Sequence, residues 1–123
     1  MRALFARRVN RMDVTNSNAD AINTYNELAQ ELAATNDDVT LGKMFGMPCI
    51  NVNRKAFAGL FQDDMVFKLT GDAHAQALQL EGARLFDPSN MGRPMKEWVQ
   101  VPFAYAASWA GMAAHALVYV GKR

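Results

Sequence analysis

The side chains that most often carry catalysis or bind metals are few in this sequence and stand far apart. Cys49 is the only cysteine, and its place beside Ile50 on a predicted strand favours a small buried hydrophobe over a reactive thiol. His74 and His115 fall on two different predicted helices. Neither has a second ligand three or four residues away, so the spacing of a metal site on one helix face is missing.

Carboxylates and serines give no stronger indication of a reaction. Asp63 and Asp64 stand at a predicted turn, where carboxylates ordinarily face water. None of the three serines sits in a nucleophile elbow, and no glycine pattern for binding phosphate is present. We therefore predict a protein that is not an enzyme, with no catalytic residue, no metal and no cofactor. An acid–base site built from distant residues leaves no local motif, so a small molecule bound between sheet and helices stays an alternative.

A first segment that stands out is the bend at residues 43–48. A predicted strand runs into Gly46 and then Pro48, which predicts a tight turn with Gly46 at positive φ. Phe45 is large enough to anchor this bend in the core. The segment is interpreted either as a hairpin corner or β-bulge, or as part of a binding surface.

A second segment, residues 86–98, is a long connection without periodicity that two prolines stiffen. Loops of about 12 residues without secondary structure are uncommon in compact domains and are often functional. Arg93 and Lys96 offer cations, Trp98 offers an aromatic plane, and Met91 and Met95 offer adaptable apolar contacts. Two interpretations are open: a partner-binding loop, or a plug in which Trp98 and Met95 close the end of the sheet.

Composition limits the class of protein. The chain has 123 residues, half of them apolar and a fifth charged, with a formal net charge of +1, which describes one ordinary globular domain. A net charge this small creates no overall electrostatic attraction to nucleic acid or to an anionic membrane. We therefore predict no membrane association. A single cysteine excludes an internal disulfide, and we predict a cytoplasmic protein.

Charge is uneven near the beginning of the chain. The first 12 residues carry four arginines and no acid, whereas residues 13–38 carry six acids and no base. We predict a disordered leader over residues 1–17 and a single domain over residues 18–121. The alternative interpretation is a basic arm for nucleic acid, which would act together with Lys43, Arg54, Lys55, Arg93 and Lys96.

Periodicity predicts the order helix, strands, helix, strands, helix. Apolar residues at helical spacing predict a first helix from Ser17 or Asn18 to about residue 34 and a second from Asp72 to about residue 80. Short strands joined by tight turns predict antiparallel pairing over residues 39–69. One of these strands is predicted to place Phe57, Gly59 and Phe61 on the same face. A last helix is predicted after Pro102, with an apolar face formed by Phe103, Ala106, Ala107, Ala110, Ala113, Ala114 and Leu117. The fold class predicted is α+β, a two-layer antiparallel β-sheet packed by helices.

The same two segments resemble the N-terminal domain of TfoX/Sxy-type proteins over roughly residues 20 to 118. The resemblance rests on these motifs in order: Lys43-Met44-Phe45-Gly46, Phe57-Ala58, Phe67-Lys68-Leu69, the region of Phe86, and residues 93–98. The glycine that commonly follows Phe-Gly in the family is Met47 here. The resemblance implies a fold similar to secretion-chaperone-like domains, a bacterial cytoplasmic protein, and for some members regulation of natural competence. It implies no catalytic residues.

From these observations we predict a non-enzymatic binding or regulatory module that acts through protein–protein contacts. The predicted partner-binding residues lie on the loop beside the bend, and they are Phe45, Gly46, Arg93, Met95, Lys96 and Trp98. The partner is a protein of unknown identity, and the module is a monomer or weak dimer. A nucleic-acid-associated transcriptional or competence regulator is the alternative, and a small-molecule-binding protein is the further one.

Overall fold

A computed structural model of the chain describes residues 17–122, without the side chains of Ser17 and Asn18. The arginines of the predicted leader therefore lie outside the described residues. Along the described chain the elements are α1 (Ser17–Thr35), β1 (Val39–Met44), β2 (Met47–Val52), β3 (Lys55–Phe61), β4 (Asp64–Lys68), α2 (Gly71–Leu78), β5 (Arg84–Phe86), β6 (Met95–Val101), a 3₁₀ helix (Phe103–Ser108) and α3 (Trp109–Gly121).

The six strands form one sheet in the order β1-β2-β3-β4-β6-β5, and every neighbouring pair is antiparallel. Tight turns join β1 to β4 in succession, which is the connection that antiparallel neighbours allow. After α2, the chain returns to the sheet at its far edge with β5 and then inserts β6 beside β4. The predicted α+β class, an antiparallel sheet packed by helices, is confirmed.

The main core lies between one face of the sheet and the helices. Cross-strand neighbours Ile50, Ala58, Phe67 and Val99 form a continuous row on this face, and all four are fully buried. The helices cover the row with Ala21, Tyr25 and Ala29 of α1 and with Trp109, Ala113, Ala116 and Val120 of α3. Alanines on both helices let their backbones come close to the sheet, so that the large side chains of the strands fill the space between the layers.

Side chains in the last turn of α1 hold its end in place. The Thr35 hydroxyl donates to the Glu31 carbonyl at 2.9 Å, and the Asn36 amide donates to the Leu32 carbonyl at 3.0 Å. The Leu32 carbonyl accepts a second bond from the Asn36 backbone amide at 3.1 Å, so Asn36 continues the hydrogen bonding of the helix one residue beyond its end. The Val39 amide then donates to the Asn36 carbonyl, which turns the chain directly into β1.

The apolar face that the sequence predicts for the last helix is only partly right: Ala113 is buried in the main core and Phe103, Ala106 and Leu117 pack against it, but the other predicted residues do not. The buried residues of α3 are Trp109, Ala113, Ala116 and Val120, whereas Ala110 and Ala114 are exposed. The cause is the 3₁₀ helix that follows Pro102, within which Tyr105 has non-helical angles of φ −106° and ψ 26°. A 3₁₀ helix turns after 3.0 residues instead of 3.6, so it changes which side of the following helix faces the sheet.

The alternation predicted for β3 is also wrong. Ile50 pairs with Ala58 and Asn51 pairs with Ala56, so Phe57 is an extra residue in a β-bulge. Phe57 and Ala58 consequently both face the main core. A bulge of this kind opposes two residues to one on the neighbouring strand and bends the bulged strand locally.

The segment Phe103–Gly121 is long and apolar enough to cross a membrane by length and composition. The core helix of a soluble protein passes the same test. In this fold, one side of the segment packs on the sheet through the buried residues of α3.

Two polar atoms are buried in the main core without a hydrogen-bond partner among the described residues: the Tyr25 hydroxyl and the Trp109 indole nitrogen. The Tyr25 side chain is 3% exposed. Burial, and secondarily the charge of a Cys49 thiolate, raise the pKa of Tyr25, so the phenol is neutral at physiological pH. An unpaired buried hydroxyl reduces the stability of the folded state.

We therefore expect Tyr25→Phe to leave stability unchanged or to raise the free energy of unfolding by about 1–2 kcal/mol, because it removes a buried polar atom and keeps the ring. Urea denaturation followed by circular dichroism measures this. Tyr25→Ala is the control and should destabilise by about 3–5 kcal/mol, since it leaves a cavity. A marked loss of stability in Tyr25→Phe would show that the hydroxyl has a partner.

Candidate interaction surface

The face of the sheet that the helices leave open carries a second apolar cluster, here called the open-face cluster. Its buried members are Met47, Val66, Phe86 and Trp98, and Met44, Ala56, Phe61 and Met95 pack around them. Val66 lies between Met65 and Phe67, which face the main core, so alternation along β4 turns Val66 to the other side. The cluster extends from Met44 and Met47, which flank the turn of the β1–β2 hairpin, to Met95 at the beginning of β6.

Trp98 and Met95, two of the predicted binding residues, belong to this cluster. Trp98 is 6% exposed, and Met95 is half-buried. Next to them, the Phe61 and Phe86 rings meet edge to face with centroids 5.2 Å apart. Trp98 therefore supports the open face from within and offers a partner little of its aromatic plane.

Gly59 allows methionines to cover the middle of this face. A Cβ atom at Gly59 would stand 2.7 Å from the Met47 methyl carbon and 3.0 Å from the Pro48 carbonyl oxygen. The methyl carbon of Met44 lies 3.4 Å from the same point. A larger residue here would displace the flexible Met47 side chain and would also press on the Pro48 carbonyl, which is backbone and yields less readily.

The predicted turn at residues 43–48 is confirmed as a two-residue hairpin between β1 and β2. Met44 pairs with Met47, and the residues between them, Phe45 and Gly46, have φ of 51° and 76°. Two positive φ values define a type I′ turn, for which Asn-Gly is the preferred sequence. The expectation that Phe45 anchors the turn in the core is wrong, because its side chain is 64% exposed.

The long connection is shorter than its sequence predicts, and hydrogen bonds within it hold its turns. β6 begins at Met95, so the connection covers residues 87–94. Asp87 organises it, since its carboxylate accepts hydrogen bonds from the Ser89 hydroxyl at 3.0 Å, the Asn90 amide at 3.1 Å and the Gly92 amide at 2.9 Å. Asn90 and Gly92 have positive φ, as the turns around the carboxylate require.

The pKa of Asp87 reflects these bonds. Partial desolvation acts to raise it, but the hydrogen bonds from Ser89 and from the backbone of Gly92, Asn90 and Met91 outweigh that effect and hold the pKa below its usual range. The ionised form is therefore the one that the loop stabilises.

His74 fixes the beginning of β6 from the other side of the sheet. Its Nε2 atom lies 2.8 Å from the Lys96 carbonyl oxygen. This contact joins α2 to the strand that carries Lys96 and Trp98. No sequence pattern indicates this contact, because the two residues are 22 positions apart.

The exposed side chains of the connection and of the first residues of β6 include one methionine and two cations. Met91 is 75% exposed, and Arg93 and Lys96 are exposed. The sequence places these residues beside the Phe45–Gly46 turn, but the strand order does not. β1 and β6 are separated by three strands, which puts them about 19 Å apart at ordinary strand spacing. The open-face cluster connects the two segments instead.

The structure has a cleft next to the connection and a cavity on the helical side of the sheet. A cleft of about 640 Å³ lies between the connection and the β3–β4 turn, and Phe61, Arg84, Asp87 and Gln100 are among its lining residues. A second cavity, of about 460 Å³, lies between α2 and α3 and is lined mainly by small or apolar side chains. Within residues 17–122, no group of three potential metal-ligating side chains is close enough to hold a metal ion.

The described cations of the nucleic-acid alternative are dispersed over the sheet. Lys43 lies at the end of β1 that leads into the Phe45–Gly46 turn, opposite Pro48. Arg54 and Lys55 lie at the other end of the strands, where Lys55 pairs with Val52. The alternative's arginines at positions 2, 7, 8 and 11 lie outside the described residues.

Comparison with protein-family models, with curated proteins and with solved structures finds no match to this chain. The resemblance to the N-terminal domain of TfoX/Sxy-type proteins therefore stays a prediction from the motifs quoted above.

Asp87→Ala should loosen the connection, because three donors lose their acceptor at once. We expect faster hydrogen exchange at the Asn90 and Gly92 amides, measured by NMR, while the amides of β4 keep their protection. In the wild-type chain the protection factors of these amides, which are exchange rates corrected for the intrinsic effect of pH, should fall in acid as the Asp87 carboxylate is protonated. A lowered folded-state pKa contributes stability that is complete above the unfolded value of about 3.9 and is lost as pH falls through the folded value.

Ser89→Ala is the matched control, since it removes one of the three donors and keeps both backbone bonds to Asp87. It should change the exchange of Asn90 and Gly92 much less. Equal exchange in Asp87→Ala and the wild-type chain would contradict the role given to the carboxylate.

Proposed function

We propose that this protein is a non-enzymatic binding module that acts on a protein partner through a surface running from Phe45 to Arg93 and Lys96. The observation that carries the proposal is Phe45: a large aromatic side chain, 64% exposed, on a residue with φ of 51°. Neither the turn nor the core accounts for a phenylalanine at this position.

The energetics of the turn make this point stronger. A non-glycine residue at left-handed φ costs about 1–3 kcal/mol, and asparagine tolerates the region best. Burial in this chain returns little of that cost, because most of the Phe45 side chain remains in water. An aromatic residue that another protein covers would gain about 2–3 kcal/mol from burial. Aromatic residues are typical of the few positions that dominate binding energy.

The cations define the chemistry of the partner. Arg93 and Lys96 are exposed, and neither forms a salt bridge with a described residue. A standard interface covers about 800 Å² on each partner, which is wide enough to include both Phe45 and these cations. The proposed partner therefore presents an apolar pocket for Phe45 and acidic side chains for Arg93 and Lys96. Charge pairs of this kind contribute to specificity and to the rate of association.

Phe45→Asn separates binding from folding. It creates the Asn-Gly sequence that a type I′ turn prefers, so we expect the free energy of unfolding to rise by about 1 kcal/mol. Capture of the partner from a lysate of the protein's own organism should be lost in the same variant. Thermal unfolding and a tagged pull-down analysed by mass spectrometry measure the two effects.

The control for Phe45→Asn is Phe45→Tyr, which keeps an aromatic ring at the turn and should keep partner capture. A more stable Phe45→Asn protein that still captures the same partner would remove Phe45 from the binding surface.

Reversing the charges with Arg93→Glu and Lys96→Glu should abolish partner capture and leave the fold intact, because both side chains are exposed. Arg54→Glu with Lys122→Glu makes the same change of net charge on the other parts of the surface, and it should keep capture. The pull-down is divided into nuclease-treated and untreated halves. A partner that disappears with nuclease would support the nucleic-acid alternative and contradict the protein-contact proposal.

A further inference from the structure

The cleft between the connection and the β3–β4 turn combines one cation and one anion with an apolar wall. Its volume of about 640 Å³ falls within the range of about 300–1,000 Å³ that is typical of small-molecule sites. Arg84 supplies the cation and Asp87 the anion, and Phe61 and Pro94 belong to the apolar wall. A ligand that fits this cleft carries two opposite charges and an apolar group.

Strand pairing places Arg84 next to a buried glutamine. Arg84 of β5 lies directly opposite Gln100 of β6, and Gln100 lies opposite Val66 of the open-face cluster. Residues directly opposite each other share a face of the sheet, with Cβ atoms about 4.5–5.5 Å apart. Arg84 and Gln100 are therefore neighbours on the open face. Among residues 17–122, nothing forms an ion pair or a hydrogen bond with the Arg84 guanidinium.

The hydrogen bond that Gln100 makes fixes the direction of its amide oxygen. The Nε2 atom donates to Asp64 Oδ2 at 2.7 Å, and an ionised carboxylate only accepts, so Oε1 points away from Asp64. Gln100 is 3% exposed and lines the cleft. No described residue donates to its Oε1. Buried acceptors are ordinarily paired, so this oxygen is a position at which an N–H group of a ligand gains a hydrogen bond.

The β3–β4 turn places a strained glutamine at the rim of the same cleft. Phe61 pairs with Asp64, and of the two residues between them only Gln62 has positive φ, at 58°. Positive φ at the first turn position alone is the type II′ arrangement, for which glycine is preferred. The Gln62 side chain is exposed, lines the cleft and has no partner among the described residues. Backbone strain of this kind concentrates where residues contact ligands.

We propose that this cleft binds a free α-amino acid with an apolar side chain. The Arg84 guanidinium receives the α-carboxylate through its forked N–H groups. The α-ammonium donates to Gln100 Oε1 and to Asp87. The Asp87 carboxylate accepts three hydrogen bonds within the connection and has about four acceptor positions, so one is open to the ligand. The apolar side chain lies against Phe61 and Pro94, and Gln62 closes the rim.

Spacing and charge select an amino acid over other ligands. Because Arg84 and Gln100 are neighbours across a strand pair, the anion and the donor of the ligand must lie within one or two bonds' reach of a common atom, as they do at an α-carbon. The charged ends of a peptide are separated by its length. A nucleotide would bring a phosphate close to the Asp87 carboxylate, and juxtaposed like charges disfavour that complex.

Isothermal titration calorimetry of the full chain with L-phenylalanine and two analogues tests the ligand class. The analogue 3-phenylpropionate keeps the ring and the carboxylate but lacks the ammonium, whereas 2-phenylethylamine lacks the carboxylate. We expect L-phenylalanine to bind and each analogue to bind about tenfold more weakly or worse, because each loses one charge-assisted interaction. In NMR titrations, the amide signals of Arg84 and Gln100 should shift, and those of α1 should not.

Two variants test the residues that hold the ligand. Arg84→Gln should weaken the binding of L-phenylalanine by about tenfold or more and keep the fold, because Arg84 is exposed. Arg54→Gln, which makes the same change of net charge at the β2–β3 turn, should bind as the wild-type chain does. Gln62→Gly separates binding from folding: glycine suits the turn, so the melting temperature should rise while the affinity falls.

Three results would overturn the proposal: no binding of L-phenylalanine or L-leucine at millimolar concentration, equal affinity for 3-phenylpropionate and L-phenylalanine, or unchanged affinity in Arg84→Gln. The last would place the bound amino acid at another site. If circular dichroism shows that Arg84→Gln is unfolded, the comparison of L-phenylalanine with its analogues on the wild-type chain decides. Partner capture through Phe45 is measured separately, so failure of either proposal is distinguishable from failure of the other.

Discussion

The strand β4 is buried on both faces, and this constraint shapes the rest of the molecule. Met65, Val66 and Phe67 are all inaccessible to solvent, so the sheet needs apolar cover on two sides. Helices supply it on one side. On the other, cover comes from Trp98, Phe86 and the methionines, which no helix assists among the described residues. The connection over residues 87–94 runs between Phe86 and Met95, which both belong to this cover, and Asp87 is the residue that keeps its turns closed.

The sequence was sufficient for the order of helices and strands and for their antiparallel pairing, because periodicity and turn residues are local signals. It was insufficient wherever contacts between residues distant in the chain determine which side chains face the core. The bulge at Phe57 depends on the strand beside it, and the phase of α3 depends on how the 3₁₀ helix fits after Pro102. In both places the sequence indicates the right apolar segment, but which of its residues are buried follows from packing between segments that are distant in the chain.

The candidate surface divides in the same way. The turn at Gly46 was predictable, because glycine before proline at a strand end has few other conformations. The exposure of Phe45 was not predictable, since a large apolar side chain is expected inside until the structure shows that nothing covers it. The separation of Phe45 from Arg93 follows from the strand order. Because β6 lies next to β4, three strands stand between β6 and β1, which leads into the Phe45–Gly46 turn.

The two tryptophans of the chain fall on opposite sides of the sheet. Trp109 lies in the main core and is fully buried, whereas Trp98 lies in the open-face cluster at 6% exposure. Each indole is thus an intrinsic fluorophore for one layer only. When either tryptophan is replaced by phenylalanine, the fluorescence of the remaining indole reports the unfolding of one side of the sheet. Melting curves of the two variants then show whether the two sides unfold in one cooperative step or in two.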